Sequence, residues 1–363
     1  MKIAFFGSSL VSAYWNGAAT YYRGLLRALS ERGHDITFYE PDAFDRQQHR
    51  DIEDPPWARV VVYPATEADV YHCLRQAKDD DVIVKASGVG VFDALLEAAV
   101  LDLRRPGAMV VFWDVDAPAT LERIDADPAD PFRQLIPEYD AVFTYGGGPS
   151  VVSAYETHGA KACIPVYNAL DPTTHHPVPP EARFRSDLTF IGNRLPDREA
   201  RVRDFFLGAA ERLPSHRFQI GGSGWTGLPL PKNITALGHV FTRDHNAINC
   251  SARAVLNINR DSMARFGFSP PTRVFEAVGA GACLITDAWE GIDAFLTPNE
   301  EVLTASDGNE VAEILAGLSE KRARCIGEVG RVRILAHHTY ARRAALVDGV
   351  LRGKTLAPVE SWL

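Results

Sequence analysis

Short apolar runs rich in valine, isoleucine and phenylalanine alternate with helical patterns through most of the chain. Runs at residues 3–6, 36–39, 60–63, 82–85, 109–113 and 141–144 predict buried strands. After the first, Tyr21, Tyr22, Leu25, Leu26 and Leu29 recur at helical spacing. They predict a helix over Ala19–Glu31, ended by Gly33-His34. Strand, helix and strand in this rhythm predict a parallel sheet covered on both faces. Near Ile164 the rhythm breaks into a proline-rich stretch, residues 165–187, which holds Pro172, Pro177, Pro179, Pro180, His175 and His176. Such stretches make semi-rigid connections, so a domain boundary is expected there. The pattern restarts with strands at 188–191, 218–220, 254–258 and 283–286, separated by helices at 198–212, Thr272–Gly279 and 310–319. Two α/β domains of the doubly wound type, residues 1–165 and 166–340, facing a cleft, are the expected architecture.

In open parallel sheets, ligands bind at the carboxyl ends of the strands, so the turns leaving them are where chemistry is expected. The first runs from Gly7 to Gly17 and carries Ser9, Tyr14, Trp15 and Asn16. It has neither a dinucleotide fingerprint nor a P-loop. Its glycines are equally explained by a tight turn, while Tyr14, Trp15, Asn16 and Gly17 favour a loop facing substrate. A later strand exits into Trp113-Asp114-Val115-Asp116-Ala117-Pro118. On extended backbone Asp114 and Asp116 share a face, open to a metal reading, a helix-capping reading and a general-base or acceptor-anchor reading.

The second half carries more. Phe190-Ile191-Gly192-Asn193-Arg194 is a strand, a glycine turn and an arginine before a helix, the composition of a phosphate-binding corner. Arg201 and Arg203, among acidic neighbours, read as helix-surface ion pairs, and Arg194 as the phosphate ligand. Gly221-Gly222-Ser223-Gly224-Trp225 is a second glycine turn, in which Trp225 offers a flat apolar contact, and Gly238-His239-Val240 ends a short strand where a nucleobase could lie. The densest string is Asn257-Ile258-Asn259-Arg260, then Ser269-Pro270-Pro271-Thr272-Arg273-Val274-Phe275-Glu276. The Ser269 or Thr272 hydroxyl can cap the helix, Arg260 and Arg273 can neutralise a diphosphate, and Glu276 can accept both ribose hydroxyls. Arg273 and Glu276 alone could equally be an i, i+3 ion pair.

Composition narrows the classes. The 363 residues suit two domains, and 38 basic against 47 acidic residues give a net charge of −9, which disfavours a polyanionic partner such as nucleic acid. Only seven of the 38 basic residues are lysine, and guanidinium is the side chain that best matches phosphate. The five cysteines are scattered with no C-x-x-C pair, so neither a disulfide framework nor a cysteine zinc site is indicated and a cytoplasmic protein is expected. The opening apolar run is too short for a signal peptide, and no segment reaches the ~20 apolar residues of a membrane span.

With these residues assembled, the chain resembles GT-B glycosyltransferases, and among them the CgeB-like (spore maturation protein B-like) group, with a second half of the glycosyl-transferase-group-1 type. The resemblance rests on ordered stretches at Asp116-Ala117-Pro118, residues 139–144, Leu170-Asp171-Pro172, residues 190–193, 256–260, Arg273-Val274-Phe275-Glu276-Ala277 with Gly281, and residues 336–343. It implies two Rossmann-like domains, an acceptor-binding first half, and a second half that binds a nucleotide-sugar donor, UDP-sugar or another NDP-sugar, for hexosyl transfer. It also implies metal-independent chemistry with no cofactor beyond that co-substrate, a final segment (341–363) crossing back to the first domain, and a structural place for His337 and His338. Arg194, Arg260 and Arg273 then face the diphosphate, Glu276 the ribose, Gly238 to Val240 the base, and Asp116, with Asp114, the acceptor. Many retaining members of the fold have a further acidic residue seven positions before the ribose-binding glutamate; here that position is Ser269. An NDP-sugar epimerase or hydrolase, a non-catalytic sugar-nucleotide-binding protein and a glycosyltransferase acting on modified DNA are the alternatives.

Overall fold

The computed structural model describes residues 1–14 and 16–353. The chain divides into two units, Met1–Asn168 joined by the helix Tyr340–Leu351, and Ala169–Thr339.

The N-terminal unit is built on a seven-stranded sheet of β1 (Lys2–Phe6), β2 (Asp35–Asp42), β3 (Arg59–Pro64), β4 (Val82–Ala86), β5 (Met109–Asp114), β6 (Ala141–Thr144) and β7 (Cys163–Pro165). The order is β3-β2-β1-β4-β5-β6-β7, with every pairing among the described residues parallel. β4 is buried along its whole length and β1 at every residue but its first, which is why their sequences are apolar runs without alternation. The helix Ala19–Glu31 follows β1 as expected, and Gly33, at φ +87°, ends its turn. Tyr340 begins the last described helix and fills the space beside Gly24, where any side chain would collide with its ring. His34, Arg32 and Arg352 close around Asp348 of the same helix.

The second unit holds a six-stranded sheet of β8 (Ser186–Ile191), β9 (Phe218–Gly221), β10 (Ile234–Gly238), β11 (Ala252–Asn257), β12 (Leu284–Asp287) and β13 (Leu303–Ala305) in the order β10-β9-β8-β11-β12-β13, also parallel. Its core packs Phe190, Phe205, Phe206, Phe218, Trp225 and Leu256 together. The expected helix over 198–212 starts at Pro196 and passes through a π-type turn at Arg203–Gly208.

Two expectations are corrected. The chain from Ile164 does not leave the first sheet at once: Cys163–Pro165 pairs with β6 as an edge strand, where a proline is tolerated at the end of a short ladder. The proline-rich stretch is more than a semi-rigid connection: the two units divide within it, after Asn168. Asp171 onward is part of the second unit, with Val178 and Phe184 packed on Ala247 and Ile248 and His175 buried.

Candidate active site

Each sheet has one place where the strand order reverses, between β1 and β4 in the first unit and between β8 and β11 in the second. Turns leaving such neighbouring strands in opposite directions open a crevice. In the second unit that crevice receives the turn after β8 (Gly192, Asn193, Arg194), the turn after β11 (Asn259, Arg260) and the start of the helix Thr272–Gly279.

The turns are fixed by backbone pairing. Gly192 N–H donates to Gly221 O at 2.8 Å, Gly222 N–H to Gly238 O at 2.7 Å, and Arg194 N–H to Ser223 O at 2.9 Å. The Asn193 side chain accepts from Ser223 N–H at 3.0 Å. Gly222 sits at φ +121°, and a Cβ there would run into the Gly192 carbonyl, so both conformation and close approach require glycine. The turn after β11 is held by a buried network in which Asp287 accepts from Asn259 N–H at 3.1 Å and from Arg201 at 2.6 Å, and Asn257 donates to Thr286 at 3.0 Å. Burial pushes the Asp287 carboxyl up, and Arg201 offsets part of that.

The arginines divide into two kinds. Arg194 is paired bidentately with Glu199, at 2.7 and 2.8 Å, and Glu199 also receives Arg203. These two guanidiniums bring the Glu199 carboxyl down to about 2. Arg260 is paired with Asp197. Arg194, the preferred phosphate ligand of the sequence reading, is therefore already neutralised by its own helix. Arg273 is different: its guanidinium carbon lies 5.2 Å from the centroid of the Phe190 ring, and no hydrogen bond or ion pair holds it among the described residues. Arg198 lies over the same ring at 5.5 Å, donates to Asn193 O at 2.7 Å, and keeps a buried Nε without a partner. Burial, and then the nearby Arg198 charge, bring Arg273 down to about 10, with Glu276 opposing. Two desolvated guanidiniums that repel each other are a site complementary to an anion. Arg198 is the residue sequence reasoning missed: it stood among arginines with acidic neighbours, and only the fold separates it from Arg201 and Arg203.

The helix Thr272–Gly279 starts after Pro271 with no side-chain cap, so its first N–H groups point outward. Neither Ser269 nor Thr272 caps it: Ser269 is buried and its hydroxyl donates to Gly267 O at 2.9 Å. Trp225 is corrected too. Its indole is buried, meets Phe190 edge-on, and donates to Gly192 O at 2.6 Å, so it props the turn from below. His239 is exposed and meets exposed Phe241 edge-on at 4.6 Å, whereas Val240 packs over Gly221. Glu276, partly exposed, lies close to His175 and His245, with their ligand atoms within 4.8 Å of one another.

In the N-terminal unit, Asp114 is fully buried and accepts from Ser87 at 2.7 Å, Thr120 at 3.1 Å, Tyr155 at 2.5 Å and Asp116 N–H at 3.0 Å. Four donors make it the structural hub of the β4 and β5 exits, not a partner of Asp116 facing substrate. Asp116 stands half-buried at the start of the helix Ala117–Ala126, without capping it through its side chain. In the loop after β1, Ser9 is buried and donates to Glu40 at 2.9 Å, and buried Asn16 donates to Ser9 O and Ser12 O. Both shape the loop from within. Tyr14 is exposed and stacks on His49 at 3.9 Å, Gly17 is exposed, and Trp15 lies outside the described residues. Lys85, buried at the β4 exit, pairs with Asp93 at 2.5 Å, a contact no motif signalled.

Residues 198–348 match the family described as glycosyl transferase-like. No curated protein matches the chain in sequence. Solved structures resemble it over nearly the whole length. Sucrose-phosphate synthase from Thermosynechococcus elongatus superposes with a TM-score of 0.68 at 15% identity, covering 97% of this chain and 98% of that one. HepE from Anabaena, solved with UDP and glucose, has a TM-score of 0.68 at 14% identity over 97% and 100% of the two chains. A trehalose-6-phosphate protein from E. coli, bound with UDP-2-fluoro glucose, has a TM-score of 0.66 at 12% identity over 98% and 100%. Among the described residues no helix is long and apolar enough to cross a membrane. With its two parallel-sheet units, the chain has the GT-B fold of glycosyltransferases such as these.

Proposed function

We propose that the protein is a glycosyltransferase that moves a hexosyl unit from a nucleoside-diphosphate sugar, UDP-sugar first among them, to a separate acceptor. The observation that carries this reading is the Arg198–Arg273 pair over Phe190, two half-buried cations beside a helix start with no side-chain cap. That arrangement suits a diphosphate, whose charge grows as the sugar bond breaks. The match of residues 198–348 to the glycosyl transferase-like family, and neighbours of the same fold solved with UDP or a UDP-sugar, point the same way.

In this reading Arg273, Arg198 and the N–H groups at the start of Thr272–Gly279 hold the diphosphate in place of a metal ion. Arg260, with Arg194 behind it, borders the same crevice. Glu276 accepts the ribose hydroxyls, and Gly238 to Val240, with Phe241, flank the base. The N-terminal unit binds the acceptor, and Asp116 orients or deprotonates its hydroxyl. Nothing in the geometry favours epimerase, hydrolase or DNA-directed readings.

A thermal-shift titration with UDP, GDP, ADP, CDP and TDP tests this function. Stabilisation by at least one is expected, and no response to any of the five overturns the reading. Incubation with the UDP-sugars then separates transfer from hydrolysis or epimerisation, since those two consume donor with no acceptor present.

A further inference from the structure

We propose that His175, His245 and Glu276 form a binding site for one transition-metal dication, Zn²⁺ being the best match, and that the bound ion excludes the nucleotide from Glu276. The first half stands on the geometry of these three side chains. The second rests on the assignment of Glu276 to ribose.

The three ligand atoms lie within 4.8 Å of one another. A tetrahedral zinc with nitrogen and oxygen ligands needs them about 3.4 Å apart, as its bond lengths of ~2.0–2.1 Å dictate, so the ligand atoms close by up to about 1.4 Å on binding. The three come from separate elements that are locked together. Asn246, the neighbour of His245 on the helix Thr242–Ser251, donates to Thr174 O at 2.9 Å and accepts from His176 N–H at 3.3 Å. The turn carrying His175 is thereby fastened to the helix carrying His245, and Glu276 projects from the second turn of Thr272–Gly279.

The tautomer of His175 follows from counting donors. The Thr174 hydroxyl has one proton, directed at Asp171 O at 3.1 Å, and its oxygen lies 3.0 Å from His175 Nδ1. With the hydrogen on Nδ1 and donated to Thr174, both contacts are made with that one hydroxyl proton, and the lone pair is left on Nε2. That Nε2 is buried and has no hydrogen-bond partner, in a residue only 3% exposed. A ring held through one nitrogen with the other bare is the arrangement of a metal-binding histidine. His245 lies beside it, with ring centroids 6.0 Å apart.

Two imidazoles and one carboxylate select for zinc, nickel or copper over magnesium or calcium. An ion on Glu276 occupies the oxygens that the ribose needs. Zinc therefore inhibits by competition, and magnesium does not.

The test is calorimetry of the metal-free full-length chain with ZnCl₂, without nucleotide. One zinc per chain is expected, with binding lost in His175→Ala and in His245→Ala and weakened at least tenfold in Glu276→Gln. Circular dichroism in chelator verifies that each variant is folded, with His175→Gln and His245→Gln taken where an alanine variant is not. Cobalt should give visible d–d bands without the thiolate charge-transfer band that capture by a cysteine would produce. Absence of zinc binding, or wild-type binding in either histidine variant, overturns the site. UDP titrated at increasing zinc should show a rising apparent Kd in the wild type only, with magnesium at the same concentrations inert. A UDP affinity indifferent to zinc overturns the exclusion. Failure of all five nucleoside diphosphates to bind sinks the proposed function, while the zinc titration still decides the metal site.

Discussion

Arg273 and Arg198 share one aromatic ring, their guanidinium carbons lying 5.2 and 5.5 Å from the centroid of Phe190. Neither has a carboxylate within ion-pair distance among the described residues, whereas Arg194 and Arg260 are committed to Glu199 and Asp197. Arg273→Ala and Arg198→Ala should each weaken UDP binding by tenfold or more, since a charge-assisted contact is worth ~1.5–3 kcal/mol. Arg194→Ala should cost clearly less. Calorimetry on the three variants reads the order directly, and an Arg194 variant as weak as Arg273→Ala would return the phosphate site to Arg194.

Glu276 is the residue assigned to the ribose, and its acceptance of two hydroxyls can be isolated from folding. The wild type should prefer UDP over 2′-deoxy-UDP by about tenfold, the loss of one hydrogen bond to a charged acceptor. Glu276→Gln should erase most of that preference. Equal discrimination in wild type and variant would remove Glu276 from the ribose.

Asp114 and Asp116 lie two residues apart and should behave oppositely. Asp114→Ala strands the donors of Ser87, Thr120 and Tyr155 in a buried position, a loss of ~3 kcal/mol or more and a clear drop in Tm. Asp116→Ala should lower the transfer rate and lower Tm by less than Asp114→Ala does. A stable Asp114→Ala variant would contradict the structural role given to that carboxylate.

Much of the fold is legible in the sequence because both sheets are parallel and buried, which turns strands into apolar runs bounded by helical periodicity. The helices Ala19–Glu31 and Thr272–Gly279 have the expected bounds. β7 and β13 are three residues each, too short for any periodicity to mark. The site is less legible for a different reason. Which arginine of the run 194, 198, 201 and 203 faces an anion depends on helix phase and on the carboxylate each one meets across the fold, Asp287 for Arg201 and Glu199 for Arg194 and Arg203. Trp225 looks like a ligand platform in a glycine turn, and only the packing on Phe190 shows it beneath the turn. His175 sits in a stretch whose prolines suggested a connector, and its pairing with His245 and Glu276 is a tertiary fact without a sequence motif.

The His34–Asp348 contact, 2.9 Å long, ties the end of the first helix to the last described one. Burial lowers the His34 pKa, with the Asp348 hydrogen bond opposing, so the folded state holds the ring neutral. Burial alone would raise Asp348, but hydrogen bonds from Arg352, His34 and Arg32 carry it well below the usual carboxylate range. Both shifts have the same sign: stability is present above the unfolded pKa values, about 6.5 and 3.9, and is lost as pH falls through them toward the folded ones. The Tm should decline as pH drops from about 7 to about 5, the window of the histidine. His34→Gln should be less stable at pH 7 and decline less steeply. A slope equal to that of the wild type would remove His34 from the acid response.

The central claim is that the second unit holds a nucleoside diphosphate at the crevice between β8 and β11, and a crystal structure of the protein grown with UDP tests it most directly. The account predicts diphosphate oxygens within hydrogen-bond distance of Arg273 and of the first N–H groups of the helix Thr272–Gly279, with both ribose hydroxyls on Glu276. UDP seated elsewhere, or a diphosphate on Arg194 with Arg273 untouched, would contradict it.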